Sequence, residues 1–165
     1  MNTDLSSEAN SGGFSGEVLG KHRADIPAES AASSANAYAR AGVDTQAGDR
    51  AVELMKAAVQ ATQGPEVLGG TGGFAGLYDA TAAGMNAMRR PLLATSTDGV
   101  GTKIELAKAL RIYDTIGQDL VGMVVDDLTP AGVRPLFMTD YIACGRVIPQ
   151  MIAAVVEGIA RACQA

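Results

Sequence analysis

The sequence predicts an α/β domain of the mixed α+β kind, a mixed β-sheet flanked by helices. Two patterns predict it: apolar residues recur at helical spacing in several separate stretches, and short apolar runs between those stretches read as strands. Chains that alternate in this way bury the sheet faces under helices and form layered domains.

Taken in order, residues 1–37 are rich in Ser, Gly, Ala and Asn with only isolated large apolar residues such as Phe14, Val18 and Ile26. Such a segment cannot bury enough apolar surface to offset the entropy of ordering, so a disordered leader is expected. The character changes at Tyr38, and residues 38–165 form the predicted domain. Asp49 is placed to cap a helix carrying Val52, Met55, Ala58 and Val59, which runs to the break at Gly64-Pro65. Gly69 to Gly73 is too glycine-dense for a regular element and reads as a mobile loop, with Phe74 to Tyr78 entering a short strand. Pro91 to Ser96 looks like a buried strand running straight into Thr97-Asp98-Gly99-Val100-Gly101-Thr102-Lys103. Ile104 to Leu110 returns to helical spacing, and a further helix is expected over Gln118 to Leu128, stopped by Pro130 and Gly132. Leu136 to Cys144, rich in Phe, Met, Tyr and Ile, reads as a strand, and Ile148 to Ala162 as an amphipathic helix with Glu157 and Arg161 on its outer side.

Composition narrows the chemistry. With 165 residues, 47% of them apolar and 19% charged, the chain can bury one sizeable core. Its 18 acidic and 13 basic residues leave a net charge of −5 with no basic block, which argues against a nucleic-acid partner. No apolar run approaches the length of a membrane span and no signal pattern opens the chain, so a soluble cytoplasmic protein with no membrane partner is expected. The sole histidine, His22, lies in the leader, which excludes histidine triads and zinc hydrolysis from the patterned region. The donors that remain are carboxylates, hydroxyls and carbonyls, which suit a hard cation such as Mg2+. Cys144 and Cys163 have no CxxC spacing and read as reduced, buried thiols.

Three segments can carry chemistry. Asp98 to Lys103 gathers a carboxylate, two glycines, a hydroxyl and an ammonium after a strand, a set able to hold a metal-bound phosphate. The plain alternative is an Asp-Gly turn followed by a solvated lysine. The loop from Gly69 to Gly73 can fold over a nucleotide or simply connect two elements; its Gly70-x-Gly72-x-x-Ala75 spacing is no dinucleotide fingerprint, since no long helix follows. On the predicted helix, Asp126 follows Asp119 by seven residues and shares its face, where the two can coordinate Mg2+, while Asp127 points about 100° away. Helix-end capping or pairing with arginine are the alternatives for these carboxylates.

The motifs Tyr38-x-x-Ala41-Gly42-Val43-Asp44, Leu68-Gly69-Gly70-x-Gly72-Gly73-Phe74, Thr97-Asp98-Gly99-Val100-Gly101-Thr102-Lys103, Asp114-Thr115-Ile116-Gly117-x-Asp119-Leu120-Val121 and Pro135-Leu136-Phe137-x-x-Asp140-Tyr141 stand in the order seen in the aminoimidazole ribonucleotide synthetase family. From Tyr38 to its end the chain resembles that family's N-terminal ATP-binding half. The resemblance implies ATP-dependent cyclisation of formylglycinamidine ribonucleotide in purine biosynthesis, in which the formyl oxygen is phosphorylated and an amidine nitrogen then displaces phosphate. It also implies a homodimer joined through its sheets, with ATP and Mg2+ as ligands. ATP-phosphate contacts are carried over to Gly69, Gly70, Gly72, Gly73, Asp98, Gly99, Gly101, Thr102 and Lys103, and metal ligation to Asp98, Asp119, Asp126 and Asp127; no residue is assigned to catalysis.

Departures from the family pattern are Asp126-Asp127 where Asn-Asp is usual, an altered stretch from Leu128 to Arg134, and the absence of the following Gly-Gly-Glu-Thr segment and second domain. The chain is therefore expected to be truncated and catalytically incomplete alone, with the apolar face Ile152, Val155, Val156 and Ile159 partly uncovered. Competing readings are another ATP enzyme of the same architecture, such as selenophosphate synthetase, thiamine-phosphate kinase or a hydrogenase-maturation protein, and a non-catalytic module that dimerises or binds nucleotide.

Overall fold

A computed structural model of the chain describes residues 37–70, 73 and 75–165. The expected leader lies outside the described residues apart from Ala37, as does Gly72 of the glycine loop. The elements are α1 (Thr45–Ala61), β1 (Val67–Leu68), β2 (Leu77–Tyr78), α2 (Lys103–Leu110), α3 (Ile116–Leu128) and α4 (Pro149–Cys163). The result is a mixed domain, mostly helical with a small antiparallel sheet.

A helical turn over residues 37–40 ends at Gly42, whose φ of +91° suits a residue without Cβ. The chain then enters α1 through Asp44, whose Oδ1 accepts the Ala47 N–H at 3.0 Å. Asp44 is the cap, not the expected Asp49, because Asp44 has the extended backbone (φ −95°, ψ 98°) that aims a side chain at the orphan N–H groups. Asp49 lies inside the helix.

The core forms where α1 meets α4. Ala51, Ile152 and Val156 are buried there, with Met55, Val59, Ile142, Val147 and Met151 packed around them. Past the end of α4, Gln164 donates to the Ala61 carbonyl at 3.0 Å and ties the two helix ends together. The apolar face of α4 is consequently covered and not left open as expected: Ile152, Val156 and Ile159 are all buried and Val155 is half-buried. α1 and α3 supply that cover.

The sheet is smaller than expected. Among the described residues the only ladder pairs Val67 with Tyr78 and Leu68 with Leu77, antiparallel. Pro91 to Ser96 and Leu136 to Cys144 form no ladder. Leu92 is 75% exposed, so the first run is not the buried strand its composition suggested, and the second, with Tyr141 92% exposed, is not the strand expected there. The physical reason is pairing: β-type side chains suit a pleated surface but do not supply a neighbour's backbone donors and acceptors, and Pro91 lacks an N–H of its own. Tyr78 and Phe137 hold the hairpin against the second run, with ring centroids 5.0 Å apart and planes tilted by 37°.

α3 is half-buried, with only Ile116 and Gly117 fully buried. It ends through a short 3-10 turn at Thr129–Ala131 and Gly132 at φ +68°, in keeping with the Pro130 and Gly132 stop. Both cysteines are free, but both are exposed and not buried as expected. Desolvation and the nearby Asp140 carboxylate raise the Cys163 thiol pKa. No described helix is long and apolar enough to cross a membrane.

Candidate functional site

The polar groups of interest converge on one face of α3. Gly101, at φ +57°, turns the chain so that Lys103 opens α2. From there Lys103 Nζ reaches across to Asp119 Oδ1 at 3.0 Å. Asp119 lies in the first turn of α3, where the unpaired N–H groups and helix dipole favour a carboxylate. Thr115, Gln118, Asp119, Gly122, Met123 and Asp126 follow one another at helical spacing, and together with Lys103 they line an open cleft of about 450 Å³. Two carboxylates and one ammonium give it a net negative lining. Such a lining attracts a divalent cation, while the ammonium can accept a phosphate oxygen as partner.

Other sequence-identified residues lie outside this cleft. Asp127 Oδ2 accepts a hydrogen bond from Ser96 Oγ at 2.7 Å. The segment between Ser96 and Lys103 is thus tied to α3 at two points roughly 12 Å apart along the helix, at ~1.5 Å of rise per residue. Asp98 Oδ1 accepts the Gly99 N–H at 2.7 Å in a local turn. Gly69 and Gly70, with φ of +91° and +66°, bend the chain as it leaves β1. Neither they nor Gly73, Gly99, Gly101 and Thr102 line the cleft. Among the described residues no three His, Cys, Asp or Glu side chains cluster as a ready-made metal site.

Sequence reading did not assign a role to Thr115, Gln118 or Met123, nor to Ser96. The signal for the first three was present: stepping back and forth from Asp119 and Asp126 at intervals of three and four lands on each of them. For Ser96 no local signal exists, because its partner is 31 residues away.

Residues 79–165 match the family model described as AIR synthase related protein, N-terminal domain. The chain belongs to that family. The matched region contains the whole cleft, from Lys103 to Asp126. Among relatives of this AIR synthase related domain, a phosphoribosylformylglycinamidine cyclo-ligase of Geobacillus kaustophilus is 55% identical over 129 residues, 78% of this chain and 36% of that protein. A protein of the same description from Thermosynechococcus vestitus is 53% identical over 128 residues, again 78% of this chain and 36% of its own length. One from Leptospira interrogans is 49% identical over 127 residues, 77% of this chain and 36% of the relative. The chain thus spans about a third of the length of the curated relatives it matches.

Proposed function

We propose that this domain supplies the Mg-ATP-binding part of a cyclo-ligase that converts formylglycinamidine ribonucleotide to aminoimidazole ribonucleotide in purine biosynthesis. The observation that carries the proposal is the cleft on α3, where Lys103 pairs with Asp119 and Asp126 lines the same cavity, within a chain about half identical to proteins described as cyclo-ligases. Mg2+ keeps several waters and takes only one or two protein carboxylates beside substrate phosphates, so a single carboxylate of the cleft, Asp119 or Asp126, would suffice to hold an ion directly. The other, two turns and roughly 10 Å away along the helix, would act through water or on a second ion. Bound there, the cation would neutralise phosphate charge. Lys103 would exchange its partner from the Asp119 carboxylate to a phosphate oxygen. The reaction transfers the γ-phosphoryl of ATP to the formyl oxygen; the amidine nitrogen then closes the ring and phosphate departs with that oxygen, leaving ADP.

A second reading, a module that binds nucleotide without turnover, has its own support. Lys103 and Asp119 each keep 42% of their side-chain surface exposed. Phosphoryl transfer needs an aligned and water-poor site, which an open cleft does not provide. The 165-residue chain is therefore expected to bind Mg-ATP while forming no aminoimidazole ribonucleotide. A thermal midpoint raised by ATP with magnesium, without product, supports the reading, and family-like product formation by the chain alone overturns its second half.

The expected partner is a second copy, consistent with the exposed, ladder-free runs around Leu92 and Tyr141. Light scattering should show a dimer that Leu92→Glu with Tyr141→Glu converts to monomer; a monomeric parent chain rejects this arrangement. A cytoplasmic setting follows from the reaction proposed.

A further inference from the structure

The face of α3 that bears Asp119 is held from behind by α4. Thr115, the residue before α3, gives its first turn no side-chain cap, so the start of the helix depends on contacts from elsewhere. Those contacts come from the last two turns of α4. Arg161 Nη2 donates to the Asp114 carbonyl at 2.6 Å and to Asp114 Oδ2 at 3.2 Å. One turn before Arg161, Gly158 nests against the same carbonyl group: a Cβ on Gly158 would fall on the Asp114 oxygen, 3.1 Å from the Asp114 carbonyl carbon and 3.4 Å from Gly117 Cα. The approach is reciprocal, for a Cβ on Gly117 would overlap the Val155 carbonyl oxygen and lie 2.5 Å from Ile159 N. Backbone therefore meets backbone here, and a side chain on either glycine forces the helices apart.

Resting on the nucleotide-site reading above, we propose that Arg161 and Gly158 are positioning residues for that site: they fix the Asp114–Gly117 entry to α3 and thereby the placement of Asp119 against Lys103. Asp119 lies in the turn that this entry starts, and its own N–H bonds back to the Thr115 carbonyl. A displacement at Asp114 is carried to the carboxylate through a single rigid turn. The Arg161–Asp114 ion pair is roughly half exposed on both sides, so its weight in overall stability is small. Its effect should show at the site instead.

The test compares Arg161→Ala, Arg161→Lys and Gly158→Ala in the whole chain, with Gly48→Ala as control, since a Cβ at Gly48 meets nothing within 4 Å. Three quantities are read: the Mg-ATP dissociation constant by calorimetry, the thermal midpoint, and the carbon-13 resonance of the Asp119 side-chain carboxyl without nucleotide. Arg161→Ala should weaken Mg-ATP roughly five-fold and shift the Asp119 resonance, with the midpoint moving by no more than about 2 °C. Arg161→Lys, which keeps the charge but not the planar fork, should fall between. Gly48→Ala should change neither affinity nor resonance. An unchanged Asp119 resonance and unchanged affinity in Arg161→Ala overturn the proposal, as does a loss equalled by Gly48→Ala. Should Gly158→Ala fail to fold, Arg161→Ala still decides. If the parent chain binds no Mg-ATP, the nucleotide reading fails separately, and the Asp119 resonance alone decides whether Arg161 positions that carboxylate.

Discussion

Lys103 Nζ lies 3.0 Å from Asp119 Oδ1, joining the first residue of α2 to the first turn of α3 across the mouth of the cleft. Each side chain keeps 42% of its surface in solvent. A pair this exposed gains little Coulomb energy over its hydrated, separated partners. Asp119→Asn should thus change the unfolding free energy by less than about 1 kcal/mol, measured by urea denaturation. A loss of several kcal/mol would mark the pair as a structural element and not a binding group.

Asp79 provides a pH-dependent contribution outside the cleft. Its carboxylate accepts hydrogen bonds from the Thr81 hydroxyl and from the Ala82 and Thr81 N–H groups, which hold its pKa below the ordinary 3.8. A depressed carboxylate pKa stabilises the fold above the unfolded-state value, and that contribution is lost as pH falls through the lowered folded-state value. Thermal midpoints recorded from neutral pH downward should fall less steeply below about pH 4 in Asp79→Asn than in the parent chain. Superimposable acid limbs would show that the turn does not contribute.

Core and surface apolar residues should separate cleanly on mutation. Ile152 is 9% exposed between α1 and α4, whereas Leu92 is 75% exposed on a run without a ladder. Ile152→Ala should cost roughly 2–5 kcal/mol by urea denaturation at low protein concentration, through lost burial and a residual cavity. Leu92→Ala should stay within about 0.5 kcal/mol under the same conditions. Equal costs would contradict the placement of the core.

What could be read in the sequence was mostly helical and local. The 3.6-residue repeat put Asp119 and Asp126 on one face of a helix and Asp127 off it, and the structure has that register. Helix ends marked by Pro130 and Gly132 were equally legible, because those residues act on their own backbone. Choosing Asp44 over Asp49 as the α1 cap was not, since both are aspartates ahead of apolar residues and only backbone angles distinguish them. The two long strands misled for a related reason: Pro91 to Ser96 and Leu136 to Cys144 have strand-like side chains, but a ladder depends on a neighbour that no local pattern encodes. Gly117 stood out only as a member of a family motif, and Gly158 not at all. Their role lies in the side chain they lack, and only the helix crossing reveals it.

The most direct measurement is a calorimetric titration of the chain with ATP in the presence and absence of magnesium, repeated for Lys103→Gln, Asp126→Asn and Asp127→Asn. Saturable binding that requires magnesium is expected. It should weaken at least about ten-fold in Lys103→Gln and Asp126→Asn, whose side chains line the cleft, and much less in Asp127→Asn, whose carboxylate faces Ser96. Binding that is absent, independent of magnesium, or indifferent to Lys103 and Asp126 would contradict the assignment of the α3 cleft as the nucleotide site.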